Sequence, residues 1–309
     1  MRTPYTKCDV VVAVLCAVLV IVTAGAVSES GTEEAFRQSC KKNLSSLGKA
    51  MLIYSNDYDD ELPKAGGRTN EWVPTIPNWL ARTRQEAWGM ESIGRAKTTT
   101  TSSLYLLVKY EEVVPERFVC PSEPDTRAFK LSGAREEIPE GYRLFDAWDF
   151  GGRYDDRNNP GRHCSYSYHV PFDKYALMVA NDPGMAVVAD RNPWIDPNRV
   201  NDPGLGWARY VGARESGDSA QIRIGNSDTH QRDGQNVLFL DSHVAFHTSP
   251  TCGVDGDNIY TLASRESGSE KPKETVPKVY EVPHPTERRD SVLVQELPFS
   301  LPKAAADDK

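Results

Sequence analysis

The chain has 309 residues, 39% hydrophobic and 26% charged, with a net charge of -8 and a pI near 5.4. That is enough chain for one large domain or two small ones around a buried core. Lys41-Lys42 and Arg288-Arg289 are basic, but each is only a pair. With the acidic balance this argues against a nucleic-acid partner, which needs a concentrated basic face.

The first segment sets the compartment. Val10 to Val27 is 18 residues without a charge. As a helix it would rise about 27 Å at ~1.5 Å per residue, close to the ~30 Å hydrocarbon core of a bilayer. Two readings stand. Arg2 and Lys7 followed by an apolar run and Ala24-Gly25-Ala26 fit a cleavable signal peptide. The same run fits a retained anchor over residues 1–30. Both place the rest of the chain outside the cytoplasm. There, Cys40, Cys120, Cys164 and Cys252 are expected to form disulfides, with three pairings open, the alternative being free buried thiols. No CxxC pair is present, which speaks against a metal site at the cysteines.

Ser28 to Thr32 is a polar break, and Ser30 with Glu33 reads as a capping box. A helix is then predicted from about Glu33 to Asn56. Phe36, Cys40, Leu44, Leu47, Met51 and Tyr54 recur at helical period and make one apolar stripe. Asp57 to Pro63 ends it in an acidic turn. Residues 64–101, with Trp72, Trp79 and Trp88, read as an insertion of loops and short helices. Ser102 to Tyr110 reads as a short helix, and residues 123–163 as a second surface insertion. Strands are predicted at Ser165 to Val170 and Met185 to Ala189. Asn236 to Leu240 and His243 to Thr248 read as a hairpin. One α+β domain, with these two insertions, would span residues 31–263. Residues 264–309 lack periodicity and read as a disordered tail, with Leu293-Val294 and Phe299 as a conceivable docking spot. The expected fold is α+β: a long N-terminal helix on a small antiparallel sheet.

The order of motifs carries a resemblance. The apolar N-terminus is followed by CKKNLSSLGKAMLIYSNDYDDELP (Cys40 to Pro63) and FVCPSE (Phe118 to Glu123). AVVADRNPW (Ala186 to Trp194), NSDTHQRDGQNVLFLDSHVAF (Asn226 to Phe246) and GVDGDNIYT (Gly253 to Thr261) come next. Together they resemble bacterial proteins with prepilin-type N-termini and a processing-associated C-terminal domain, relatives of the major pseudopilins of type II secretion. The likeness covers roughly residues 5–62 and 102–262. Tyr5-Thr6-Lys7-Cys8-Asp9 matches the residues just after the cleavage point in family leaders, with Pro4 standing where the leader ends in Gly. The resemblance thus implies processing between Pro4 and Tyr5, and a register-setting role in assembly for Asp9, which opens the apolar run. The family's His-spacer-Asp-Gly signature corresponds to His230 and Asp241-Ser242. Here the spacer is one residue longer and Ser replaces Gly. Since Gly best takes φ > 0, a longer or bulged turn is expected.

Two chemical readings compete with a purely structural one. Asp190, Asn226, Asp228, His230, Asp233, Asp241, His243 and His247 crowd into the C-terminal half, as a metal-dependent hydrolase would need. Yet His243 and His247 fall on a predicted strand, ~13 Å apart, and no HExxH glutamate accompanies them. Asp255, Asp257 and Asn258 supply hard oxygens on a short loop, suited to calcium. The pseudopilin resemblance implies calcium there; the alternative is an ordinary Asp/Gly turn. No GxSxG, P-loop or dinucleotide fingerprint is present. Trp72, Trp79, Trp88 and Trp194 would serve a secreted glycan- or polymer-binding module if they lined a groove, or would simply be packed. The reading adopted is a non-catalytic envelope subunit, anchored in the inner membrane by its N-terminal helix. Its partners would be copies of itself or other pilin-like proteins.

Overall fold

The structure, a computed structural model, describes residues 7–297 apart from 93, 153–158, 173–174, 197–198, 200–203, 213–216 and 265–272, with side chains from residue 31 onward. Pro4, Tyr5 and the side chains of Asp9 and Val10 to Val27 lie outside these described residues. Among the described residues no helix is long and apolar enough to cross a membrane.

The fold is α+β, as expected. Helix α1 (Lys7–Asp57) is one element of 51 residues. It runs through the polar stretch Ser28 to Thr32, where a break was expected. The capping-box reading of Glu33 is therefore corrected. A Gly such as Gly31 costs a helix only ~1 kcal/mol, and tertiary contacts override that. Its outer half lays the predicted stripe on the sheet. Cys40, Leu44, Leu47, Met51 and Tyr54 are buried in the main core, and Phe36 is half-buried. Each fully buried aliphatic on that face contributes roughly 1.5–3 kcal/mol. Gly48 allows the close approach: a Cβ there would stand 2.7 Å from Leu238 Cδ1.

The central sheet is built from β3 (Tyr166–His169), β4 (Ala186–Asp190), β5 (Gln235–Phe239), β6 (Val244–His247) and β9 (Leu293–Val294). Their order across the sheet is β6-β5-β4-β3-β9, antiparallel throughout. The first four match the predicted strands within a residue or two. The β5–β6 turn is a three-residue loop: Ser242 N–H donates to Phe239 O and Phe239 N–H to His243 O. Ser242 occupies the left-handed region at φ 70°, which glycine takes more readily.

Two regions depart from the sequence reading. The 64–101 insertion is not loose decoration. It forms a parallel pair, β1 (Thr69–Trp72) with β2 (Arg95–Thr98), around the short helix α2 (Arg84–Ala87). Trp72, Trp79 and Trp88 are all buried, as is Trp194. They pack edge-on to other aromatics, such as Trp88 on Trp148 at 5.2 Å, and present no open platform for a glycan. The second correction is the tail. Within residues 264–309, Lys273–Thr275 (β8) pairs with Leu262–Ser264 (β7), and β9 pairs with β3. Val292, Leu293, Val294 and Leu297 are fully buried. One short apolar run at the end of a polar stretch is too brief for periodicity to reveal, but it completes the sheet edge.

The same run delivers Glu296 into the interior. Its carboxylate accepts from Trp72 Nε1 (2.9 Å) and from the backbone N–H groups of Thr100 (2.5 Å) and Thr101 (3.0 Å). These N–H groups open helix α3 (Thr100–Glu111), whose first-turn donors have no partner within the helix. Asp149 lies alongside. Its Oδ2 accepts from Thr99 Oγ1 at 2.6 Å and its Oδ1 from the Phe150 N–H at 2.8 Å. Burial, reinforced by the neighbouring Glu296 charge, pushes the Asp149 carboxyl up to about 8 from an ordinary 3.8.

The folded chain therefore keeps a proton on Asp149 that the unfolded chain releases at lower pH. The stability this contributes is complete below the unfolded value and declines as pH rises toward the folded one. Denaturant midpoints measured between pH 4 and 8 should fall with rising pH, and Asp149→Asn should flatten that decline. An unchanged slope in the variant would contradict a buried, protonated Asp149.

Candidate functional site

The chemistry of the chain gathers where α1 meets the sheet. Cys40 sits in the apolar stripe of α1. Cys120 follows a 3-10 turn, Pro115–Phe118, whose Phe118 is wholly buried in the same core. The turn brings the two Cα atoms to 5.4 Å, and Cys40 and Cys120 form a disulfide across 80 residues of sequence. Of the four cysteines expected to pair, only these two are joined. Cys164 and Cys252 are free, which corrects their expected participation. Burial pushes both of these thiols up to about 12, so they are poor nucleophiles.

Around the disulfide stand His230 and Asp190. His230, Gln231 and Arg232 take three successive left-handed conformations, with φ of 54°, 59° and 62°. Such a run costs roughly 1–2 kcal/mol per non-glycine residue. It turns the imidazole inward, where it is 1% exposed. Nδ1 lies 2.6 Å from Glu33 Oε1 and 3.0 Å from Ser122 Oγ. The carboxylate accepts, so Nδ1 donates to it, and Nε2 faces the interior. Nε2 is 3.7 Å from Cys120 Sγ, 3.4 Å from Asp190 Oδ2 and 3.3 Å from the Asn236 amide nitrogen.

Asp190 ends β4 and is fully buried. Its Oδ2 accepts from the Asn236 backbone N–H at 2.7 Å, while Oδ1 has no hydrogen-bond partner. Burial pushes its carboxyl up, and the adjacent His230 partly offsets this. One ligating atom from each of Cys40, Cys120, Asp190 and His230 falls within 4.8 Å of the others. Arg37 ties the same loop to α1: it donates to Asp233 Oδ2 at 2.7 Å and lies over the Phe246 ring.

The other members of the predicted polar cluster are dispersed. Asp228 pairs with Arg199 and Arg232, and Asp233 with Arg37 and Arg223. Asn226 donates to the carbonyls of Arg232 and Thr248. His243 stacks on Phe239 and meets Asp241 Oδ1 at the exposed hairpin turn. His247 lies in β6 on the edge of the Phe239 ring. Only Asp190 and His230 of that set converge. The predicted signature pair is likewise split: His230 is in the core cluster, while Asp241 and Ser242 are at the turn.

In the proposed calcium loop, Asp255 pairs with Arg289 at 3.2 Å. Asp257 accepts from the Ser291 N–H at 2.8 Å, and the Asn258 amide donates to Tyr210 Oη and Glu274.

Sequence reasoning missed the roles of four participants: Glu33 read as a helix cap, Ser122 as one residue of the FVCPSE motif, and Cys40 and Cys120 as generic disulfide candidates. Four separate segments supply the cluster, so no local spacing announces it. The one usable signal was Cys40 falling on the buried stripe of a helix. Comparison with family models, curated proteins and solved structures finds no match to this chain.

Breaking the crosslink should cost stability. Closing so long a loop lowers unfolded-chain entropy by an amount worth about 4–5 kcal/mol in the chain-entropy account. Cys120→Ala should therefore reduce the unfolding free energy by about 2–5 kcal/mol in denaturant titrations. No loss would show that the bond is not formed in the native protein.

Proposed function

We propose that the chain is a non-catalytic, pilin-like subunit of a cell-envelope assembly, anchored through the first half of α1. The observation that carries this reading is the continuity of α1. One helix runs from Lys7 to Asp57, and its C-terminal half is fixed on a five-stranded sheet by a buried stripe and a disulfide. A rigid body mounted on a helix with a charge-free N-terminal segment suits lateral assembly in a membrane. The disulfide agrees with an oxidising, extracytoplasmic location. The division of labour is then simple: Val10 to Val27 anchors, Asp9 offsets its desolvation against a neighbouring subunit's terminal amine and sets axial register, and the body presents the surface. An acid near the membrane interface is costly unless so partnered.

The secreted binding-module reading has less support, because the tryptophans it would use are packed inside. A hydrolase reading has less still, since three nitrogen or carboxylate ligands with an open position are not brought together among the described residues.

Cys8 and Cys16 lie in or beside the apolar segment and report directly on side-by-side packing. Mild oxidation of native membranes should yield a disulfide-linked dimer of the chain. The dimer should disappear in Cys8→Ser/Cys16→Ser and weaken in Asp9→Ala. A monomer under all conditions, with the protein present in the membrane, would count against self-assembly through this segment.

A further inference from the structure

The cluster around the disulfide has a donor set that a disulfide does not need. We propose that the chain with its Cys40–Cys120 bond reduced is a tetrahedral zinc protein, ligated by Cys40 Sγ, Cys120 Sγ, His230 Nε2 and a carboxylate oxygen of Asp190. This inference stands apart from the assembly reading and holds or fails without it.

The geometry carries the assignment. Zinc takes four ligands at about 2.0–2.3 Å, so its ligating atoms stand roughly 3.3–3.8 Å apart around a tetrahedron. His230 Nε2 is already 3.4 Å from Asp190 Oδ2 and 3.7 Å from Cys120 Sγ. All four donor atoms lie within 4.8 Å of one another, and all four residues are buried. Once the bond between the sulfurs is broken they can separate to the same spacing, with little backbone movement, because their Cα atoms are 5.4 Å apart. Thiolate, imidazole and carboxylate together are the mixed soft and borderline donors that zinc selects.

Two further features point to a ligand. Asp190 Oδ1 is buried without a hydrogen-bond partner, an expense that a metal bond or a reoriented carboxylate would remove. Glu33 accepts the Nδ1 proton of His230, the outer partner that metal-binding histidines commonly have, which fixes the ring and leaves Nε2 free to ligate. The Asn236 amide, now near Nε2, remains in reach of Asp190 Oδ2 at 3.4 Å.

The interconversion balances. A dithiol reductant of the thioredoxin class gives two electrons and two protons to the sulfurs and leaves as its own disulfide. Zinc then replaces the two thiol protons, which pass to solvent. The two thiolates neutralise the dication, and Asp190 adds one negative charge. Either form clips α1 to the body, covalently when oxidised and through the metal when reduced. With four protein ligands and no open position, the site is structural.

The test uses the full chain, in detergent, reduced anaerobically with a phosphine and titrated with Co2+ and then Zn2+. Reduced protein should take one equivalent of Co2+ with the visible bands of a tetrahedral thiolate site, and Zn2+ should displace it. The oxidised protein should show neither. His230→Ala and Asp190→Asn should lose the tetrahedral spectrum, and Glu33→Gln should bind about 10–100-fold more weakly. Cys164→Ser/Cys252→Ser should bind as the wild type does. Circular dichroism checks that each variant is folded. If a variant fails to fold, the wild-type comparison decides alone: a reduced, folded wild type that takes no metal overturns the proposal. So does equal binding by the oxidised protein. Should the bond resist reduction in the folded chain, the denatured, reduced chain is refolded with Zn2+, and absence of a bound equivalent overturns it there.

Discussion

Everything else in this protein is arranged around the attachment of one helix to one sheet at Cys40. A helix as long as α1 cannot hold its position on a body by propensity alone; it needs a buried face and a fixed register. The stripe from Cys40 to Tyr54 supplies the face, and the bond to Cys120 supplies the register. Gly48 sets the separation by letting Leu238 of β5 approach the helix backbone. The strained turn at His230 to Arg232 then closes over the upper end of the contact, held from α1 by Glu33 and Arg37. Hydrophobic burial provides most of the stabilisation, while the polar contacts determine where along the helix it occurs.

A second polar centre does the corresponding work beside the edge strand β9. Glu296, just beyond β9, satisfies the first donors of α3 and the indole of Trp72. Arg191 extends from the end of β4 to Glu123 at 2.9 Å and to the carbonyls of Gly161, Cys164 and Glu296. Charge is thus buried only where it has several partners, as desolvation requires. These contacts explain why the inserted segments are integral. Removing Glu296 would leave the Trp72 indole N–H and the first N–H groups of α3 without this acceptor in the interior.

What was legible in the sequence was what depends on local period. The apolar stripe of α1, the alternation in β3 and the short apolar runs of β4 and β5 were read from local pattern and are buried apart from Phe36, while β6 of the expected hairpin is half-buried. The tryptophans and the segment near Leu293 were misjudged for a common reason. Their partners come from distant parts of the chain, and a polar-rich stretch hides a single deeply buried residue. The cluster at His230 was half visible. Its histidine and Asp190 stood out as residue types, but the cysteines that complete it lie on α1 and after Phe118, and Glu33 had a plausible local role. A site assembled from four segments has no spacing to read, only composition. The signature Asp241-Ser242 illustrates the converse: its effect is local, and the left-handed Ser242 is where a bulged turn was expected.

The central claim is that this body is carried on a retained membrane helix. The most direct measurement is the mass and N-terminal sequence of the native protein recovered from fractionated cells. The account predicts a chain in the membrane fraction that begins at Tyr5, with Asp9 and the apolar segment intact. A chain beginning near Val27 in the soluble fraction would contradict it: anchor and register residue would be gone, and a secreted body with a truncated α1 would remain.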